Sequence, residues 1–236
     1  MRMYENNDTL FPHPFSGAYW RMAAGELKQV RMIVFAAMMI ALRVALKPVS
    51  IPVAADLRIN VAFLVNAYGA MIMGPVVSIL AAAVTDTLGC LLFPTGTYFF
   101  PFILTEIAGS LIFALFFYRA RITVWRVMLS RFCIDFFVNI VLTTPIMSLY
   151  YRLILGKSYT LFHIPRILKN LVMFPIESVL LVLFLRVLIP PTSRVGFNVP
   201  PMEELRFTKK NAALLVVLFA LGCAAVMFYV WSRGKK

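Results

Sequence analysis

The sequence predicts an all-α membrane protein that crosses the bilayer several times. Of its 236 residues, 61% are apolar and only 14% are charged. Apolar segments of spanning length recur along the whole chain, and about 20 residues at about 1.5 Å rise each are enough to cross the hydrocarbon core. Because a backbone in lipid must satisfy its hydrogen bonds within each segment, we expect these segments to be helices.

The candidate spans can be placed in order along the chain. Seven segments qualify: about 29–47, 60–73, 75–93, 100–118, 127–151, 167–189 and 211–231. The second is short, and Gly74-Pro75 separates it from the third. Pro165 is well placed to start the sixth helix, and Pro175 is expected to kink it. We predict a six-helix bundle over residues 28–189 and an additional C-terminal helix.

The regions outside this bundle differ from it in composition. Residues 1–27 begin polar and lack the charged, apolar and small-residue order of a signal peptide, so we expect a cytoplasmic N-terminal extension. Residues 190–210 contain four prolines and are predicted to form a stiff cytoplasmic linker. Residues 211–236 combine an appended hydrophobic helix with a basic tail, and the side on which this helix ends is left open.

The net charge of +13 indicates a membrane partner rather than nucleic acid, because of how it is distributed. Cations cluster before the first span, between the fourth and fifth, and after the sixth, which predicts a cytoplasmic N-terminus. The opposite side also carries cations: Lys47, Arg58, Arg152, Lys157, Arg166 and Lys169. Such an external excess suits capture of an anionic solute. Snorkelling to lipid phosphates explains any single one of them equally well.

Motifs for energy use or metal chemistry are absent. Gly156-Lys157-Ser158 resembles the end of a phosphate loop, but Tyr151 stands where the first glycine belongs. There is no HExxH motif, and the three cysteines form no CxxC pair. We therefore expect no cofactor, no metal and no enzymatic activity in this chain.

The fifth span carries a polar seam. Arg131, Asp135 and Asn139 recur every four residues and share one helix face, which Thr143 continues. We expect an internal Arg131–Asp135 ion pair. Asn139 lies deeper and can both donate and accept hydrogen bonds, so it is the better candidate for contacting a polar ligand.

Asp86 is a second polar candidate inside a span. A carboxylate at membrane depth needs a partner. That partner can be a cation such as Arg43 or Arg58, or an amine of a ligand.

Two further patterns each allow two interpretations. Tyr98, Phe99 and Phe100 precede the fourth span, where they can form an interfacial aromatic belt or the wall of a pocket for a flat ligand. Small residues at four-residue spacing on the first span (Ala37, Ala41 and Ala45) allow close helix approach, either within the bundle or to a partner subunit.

Together these residues resemble the substrate-binding S components of energy-coupling-factor transporters, specifically the folate family. The resemblance covers about residues 30–188. It is carried by Ala41-Leu42-Arg43, Leu57-Arg58-Ile59, Gly74-Pro75-Val76-Val77, Asp86-x-x-Gly89, Tyr98-Phe99-Phe100-Pro101 with Thr105, Arg166-x-x-Lys169-Asn170-Leu171 and Pro175-Ile176-Glu177. The sequence departs from the family pattern at Asn60, Phe102 and Thr143.

The resemblance implies a six-helix bundle in a bacterial plasma membrane that binds a vitamin in a pocket open to the outside. The loop after the first helix and the loop before the sixth would act as lids. The alanine face of the first helix would dock on a shared transmembrane coupling subunit driven by two ATPase subunits.

A folate combines a planar pterin, a benzoyl ring and a glutamate tail with two carboxylates. The aromatic run would stack on the rings, Asp86 or Asn139 would contact the pterin edge, and cations would pair with the tail. The predicted binding set is Arg43, Arg58, Asp86, Tyr98, Phe99, Phe100, Asn139, Arg166, Lys169 and Asn170. The alternatives are another water-soluble vitamin, or an intramembrane enzyme acting on lipid through Asp86 and Glu106.

Overall fold

The computed structural model describes residues 14–54, 57–94, 97–157, 164–197 and 209–234. Its elements are almost all helical. In chain order they are α1 (Gly17–Gly25), a 3₁₀ turn (Glu26–Lys28), α2 (Val30–Leu46), β1 (Ser50–Ala54), β2 (Leu57–Asn60), α3 (Ala62–Leu92), a 3₁₀ turn (Phe100–Phe102), α4 (Ile103–Phe117), α5 (Val124–Cys133), a π-helix (Ile134–Leu142), α6 (Thr143–Leu153), α7 (Ile164–Arg194) and α8 (Lys209–Gly234).

The helices confirm the predicted class of all-α, multi-pass membrane protein. Among the described residues, five helical segments are long and apolar enough to cross a membrane. A sixth is added if the pair Gly17–Lys28 and Val30–Leu46, bent by 85°, is taken as one span. Because of that bend, α1 runs across the direction of α2.

Helix α3 contains the predicted boundary between the second and third spans. Gly74 has φ 73° and ψ 175°, which interrupts the helix. Asn66 and Thr85 line one cavity, although a straight helix would place residues 19 positions apart about 28 Å from each other. The two halves of α3 therefore fold back on each other at Gly74-Pro75, as the sequence predicted.

Glycine is required at this turn for two reasons. Its positive φ disfavours any residue with a side chain, and a Cβ at Gly74 would lie 2.9 Å from the ring of Tyr118. We call the end of the bundle that contains Gly74 and Tyr118 the turn end.

The opposite end carries a β-hairpin that the sequence did not reveal. Strands β1 and β2 pair antiparallel, with Ile51 opposite Ile59. Leu57 and Ile59 of β2 are buried in one cluster with Val172 and Met173 of α7. We call this end of the bundle the hairpin end.

At the turn end, the N-terminal segment is fixed to the bundle by a buried network that we call the clasp. The Tyr19 hydroxyl donates to the carbonyl of Ala114 at 3.2 Å. The Tyr118 hydroxyl donates to Glu26 at 3.0 Å, and Arg119 pairs with the same carboxylate at 3.4 Å. Burial raises the pKa of Tyr118 to about 12, so its phenol keeps the proton that it donates. Part of the predicted N-terminal extension is thus packed into the fold.

Helix α7 is longer than the sequence suggested. It ends at Arg194, so Pro190 and Pro191 lie inside it and the expected linker boundary at residue 190 is wrong. Proline keeps a helical φ and costs one hydrogen bond. Thr192 anchors this last turn, since it donates to the carbonyl of Leu188 at 2.6 Å and shares a hydrogen bond of 2.7 Å with Tyr68. Linker residues 198–208 lie outside the described residues.

The appended helix α8 packs against α7 in the opposite direction. A Cβ at Gly222 would lie 2.8 Å from Cγ1 of Ile176, which shows how closely the two helices approach. Leu215 joins the main core, whereas Val226 and Tyr229 pack against the cluster under the β-hairpin. Helix α8 therefore ends at the hairpin end of the bundle.

Candidate ligand-binding pocket

A cavity of about 290 Å³ opens inside the bundle toward the hairpin end. Helix α2, both halves of α3, helix α4 and the α5–π segment form its wall. The wall consists of Arg43, Lys47, Asn60, Ala62, Phe63, Asn66, Thr85, Thr105, Glu106, Gly109, Phe113, Arg131, Ile134, Val138, Asn139 and Thr143. Cations and amides thus face the cavity together with two aromatic rings.

Two of the cations reach the cavity from the last turn of α2. Arg43 is 4% exposed and pairs with Glu106 at 2.8 Å, while the side chain of Glu106 is 38% exposed. Lys47 pairs with Asp86 at 3.3 Å. A Cβ at Gly89 would lie only 2.6 Å from Cδ of Lys47, so the glycine leaves the space through which the lysine reaches Asp86.

The third cation, Arg131, is held from three directions. It pairs with Asp135 at 3.1 Å, which confirms the expected ion pair, and with Glu177 of α7 in a second close pair. Its guanidinium also lies 4.7 Å from the centre of the Phe63 ring. Both ion pairs use Nη2, which ties this cation to the wall, whereas its buried Nε has no hydrogen-bond partner among the described residues.

The amide groups of the wall are also oriented by neighbours. Asn139 donates to Asp135 at 3.0 Å, and Ser110 donates to Asn66 at 2.8 Å. Asn139 lies in the π-helix, whose i→i+5 hydrogen bonds widen each turn. Arg131, Asn139 and Thr143 line the cavity, as expected from their four-residue spacing, whereas Asp135 of the same row is not on the wall.

Comparison with known proteins identifies the family. No family model matches the chain. The chain is 30% identical over 149 residues to the folate transporter FolT of Leuconostoc mesenteroides, and this match covers 62% of this chain and 80% of that relative. The chain belongs to the FolT family. It is also 29% identical over 158 residues to FolT of Clostridium novyi, covering 66% of this chain and 88% of that relative.

A solved structure of the FolT family agrees with this assignment. The crystal structure of FolT bound with folic acid is similar to this fold with a TM-score of 0.55 and 28% identity. The match covers 64% of this chain and 89% of that chain. The resemblance to folate-family S components and the predicted fold class are confirmed.

Asp86 pairs with a cation, as expected, but its partner is neither of the two cations named from the sequence. Lys47 pairs with it, and Arg43 pairs with Glu106 instead. Arg58 is exposed on β2 because successive side chains of a strand point to opposite faces and Leu57 and Ile59 point inward. Arg58 therefore does not line the cavity.

The predicted aromatic wall is also not part of the cavity lining. Tyr98 is 43% exposed and Phe100 66% exposed. Phe99 packs edge-on against Phe102 and Tyr150, with ring centroids 5.9 and 5.5 Å apart. Because these rings precede α4, they lie about one turn before its first cavity residues, and any contact with ligand would be at the cavity mouth.

The cations and amide at the start of α7 stand apart from the described cavity. Arg166, Lys169 and Asn170 lie in the first two turns of α7 and are half-buried. The structure does not place them on the cavity wall, and residues 158–163 before this helix lie outside the described part of the chain.

The three alanines predicted to allow close helix approach face away from the bundle. Ala37, Ala41 and Ala45 are all exposed on α2, next to exposed Val34 and Met38. The interpretation in which these alanines pack within the bundle is therefore wrong. Their surface is available to lipid or to a partner.

Sequence reasoning missed several wall residues. Lys47, Asn66 and Phe63 were not in the predicted set, and Arg131 and Glu106 were given other roles. Asn66 carried a usable signal, since a lone amide in an apolar span usually faces a cavity or another helix. The others depend on which helices become neighbours.

Proposed function

We propose that this chain is the folate-binding subunit of an energy-coupling-factor importer in a bacterial plasma membrane. Its N-terminus would lie in the cytoplasm and its hairpin end outside. The observation that carries the proposal is the polar cavity at the hairpin end of a FolT-type bundle, where Arg43 and Lys47 face space that a ligand can enter.

The two α2 cations are more accessible to a ligand carboxylate than Arg131 is. Glu106 is partly exposed and gives Arg43 a partner that a ligand carboxylate can replace or join. Lys47 is itself about one-third exposed, with a side-chain exposure of 32%. Arg131 is enclosed by two acids and a ring. We assign the two carboxylates of the glutamate tail to Arg43 and Lys47.

The flat part of a folate suits the remainder of the wall. Phe63 and Phe113 can contact an aromatic ring face, and Asn139 and Asn66 can hydrogen-bond a pterin edge. Asp86 acts through Lys47, which it orients.

A complete site extends beyond the present wall. A cavity of about 290 Å³ is at the lower edge of ligand pockets, which run from about 300 to 1,000 Å³. We propose that the remaining predicted residues contact ligand at the mouth when the loops close: Arg58, Tyr98, Phe99, Phe100, Arg166, Lys169 and Asn170.

Energy for uptake would come from partners. The exposed alanines of α2 are small side chains, which allow another helix to approach closely. We propose that Ala37, Ala41 and Ala45 dock on a transmembrane coupling subunit that works with two ATPase subunits. The related proteins are transporters, and both acids considered for an intramembrane enzyme, Asp86 and Glu106, are paired with cations. Enzymatic chemistry therefore has no observation in its favour.

Calorimetry on the purified chain tests the ligand assignment. Folate should bind at submicromolar concentration, and riboflavin and thiamine should not. Pteroate, which lacks the glutamate tail, should bind more weakly than folate. Failure to bind folate, or tight binding of another vitamin instead, would contradict the proposal.

The docking face requires a separate test. Ala41→Leu should abolish folate uptake by cells that contain the coupling and ATPase subunits, while leaving folate binding unchanged. Ala220→Leu makes the same change on the exposed surface of α8, so it is the matched control and should leave both uptake and binding intact. Normal uptake by Ala41→Leu would refute the docking assignment.

A further inference from the structure

A second cavity lies on the outside of the bundle near the turn end, and we call it the outer groove. It measures about 530 Å³ and lies between α4, α5 and α7. Its wall consists of Phe116, Trp125, Arg126, Met128, Leu129, Phe132 and Phe174. Among the described residues of this wall, Arg126 is the only charged one.

The outer groove opens toward the hydrocarbon of the bilayer. Trp125 is 66% exposed, Leu129 53% and Phe132 52%. All three lie in the segment Val124–Leu153, which is long and apolar enough to span a membrane. An apolar concavity on such a surface is filled by hydrocarbon.

The charge of the groove is at one end. Arg126 lies in the first turn of α5, and Phe132 follows six residues later, about 9 Å further along the helix. The groove thus runs from headgroup depth at the turn end toward the bilayer interior. The adjoining segment 119–126 contains three arginines and no acid, and the acid that contacts it, Glu26, is paired with Arg119.

We propose that the outer groove binds an anionic glycerophospholipid, with one acyl chain between the aromatic walls and the phosphate paired with Arg126. The proposal places the turn end at the cytoplasmic leaflet, as the proposed orientation does, and is independent of the ligand in the main pocket. One cation near an anionic surface contributes about fivefold in affinity. A helix of a partner subunit is the competing occupant.

Tryptophan quenching by brominated lipid can test this site, because Trp125 lies in its wall. Trp20 and Trp231 are replaced by Phe in the full chain, which leaves Trp125 as the only tryptophan. The protein is reconstituted in phosphatidylcholine containing dibrominated phosphatidylglycerol or dibrominated phosphatidylcholine. We expect dibrominated phosphatidylglycerol to reach half-maximal quenching at about one-fifth of the mole fraction that dibrominated phosphatidylcholine requires.

Substitutions then locate the source of the preference. Arg126→Gln should remove the fivefold difference, and Arg126→Lys should keep most of it. Arg194→Gln is the matched control, because Arg194 is an exposed cation at the same end outside the groove. It should leave the preference unchanged. If Arg126→Gln does not fold, relief of wild-type quenching by unlabelled lipid gives the same comparison, with phosphatidylglycerol about five times more effective than phosphatidylcholine.

Three results would overturn the proposal. They are equal quenching by the two lipids, a preference that survives Arg126→Gln, and an equal loss in Arg194→Gln. Loss of quenching by both lipids when the coupling subunit is added would assign the groove to a protein contact and would also overturn it.

Discussion

The hairpin-end pocket and the turn-end clasp both bury charge, but only the pocket leaves room beside it. In the clasp, Glu26 is 5% exposed and Arg119 9% exposed, and Tyr118 fills the space next to them. In the pocket, Arg43 is equally buried while the side chain of its partner Glu106 is 38% exposed and adjoins a cavity. An arginine–glutamate pair is thus structural in the clasp, where rings enclose it. In the pocket, where Glu106 adjoins open space, a ligand carboxylate can replace the glutamate.

The energetic consequence differs between the two regions. Removing one member of a buried ion pair costs about 3–5 kcal/mol because the other charge is left without compensation. A partly exposed partner such as Glu106 can be solvated instead. We therefore expect substitutions in the clasp to lower stability and substitutions in the pocket to lower ligand affinity.

The largest effect is expected from Arg43→Ala in the pocket. Loss of a buried, hydrogen-bonded charge that pairs with a ligand carboxylate should weaken folate binding by about 100-fold. The apparent Tm should change little, since Glu106 can turn to water. Calorimetric titration and a thermal-shift assay measure both quantities, and Arg152→Ala, an exposed cation outside the cavity, serves as control. A large drop in Tm with unchanged affinity would show that Arg43 stabilises the fold and does not bind the ligand.

The clasp should show the converse with Glu26→Gln. This change leaves Arg119 buried without its charged partner, at a cost of about 3 kcal/mol, the lower end of that range because the glutamine oxygen still accepts hydrogen bonds. The apparent Tm should fall by several degrees while the affinity for folate stays within twofold. Tyr118→Phe removes two hydrogen bonds, the one that Tyr118 donates to Glu26 and the one that it accepts from Nε of Arg119 at 3.1 Å, but it leaves the charge pair in place. Its effect should therefore be smaller, about 2 kcal/mol. Weakened folate binding at unchanged Tm would show that the clasp belongs to the ligand site.

A smaller effect is expected from Gly89→Ala. The new methyl group would displace the flexible side chain of Lys47 from Asp86, so affinity rather than stability should suffer. Folate binding should weaken by about fivefold, because a displaced Lys47 would lose its partly exposed ion pair with the ligand carboxylate, and such a pair contributes about 1 kcal/mol. Binding of pteroate should not change. Equal losses for both ligands would show that Lys47 does not contact the tail.

How far the sequence predicts this molecule depends on the range of each contact. The break at Gly74-Pro75 and the Arg131–Asp135 pair follow from local chemistry and helical spacing, and both were predicted. The pairs of Arg43 and Lys47 join residues 63 and 39 positions apart, which no local pattern encodes. The β-hairpin was not predicted, and Pro52 lies within its first strand, where proline argues against a strand.

The most direct test measures folate and pteroate binding to the wild type and to Arg43→Ala/Lys47→Ala by calorimetry. The account predicts submicromolar binding of folate to the wild type and a clear advantage of folate over pteroate. In the double variant that advantage should disappear, with pteroate bound as before. If the double variant still prefers folate, the glutamate tail binds elsewhere, and the pocket that these two cations line is not the folate site.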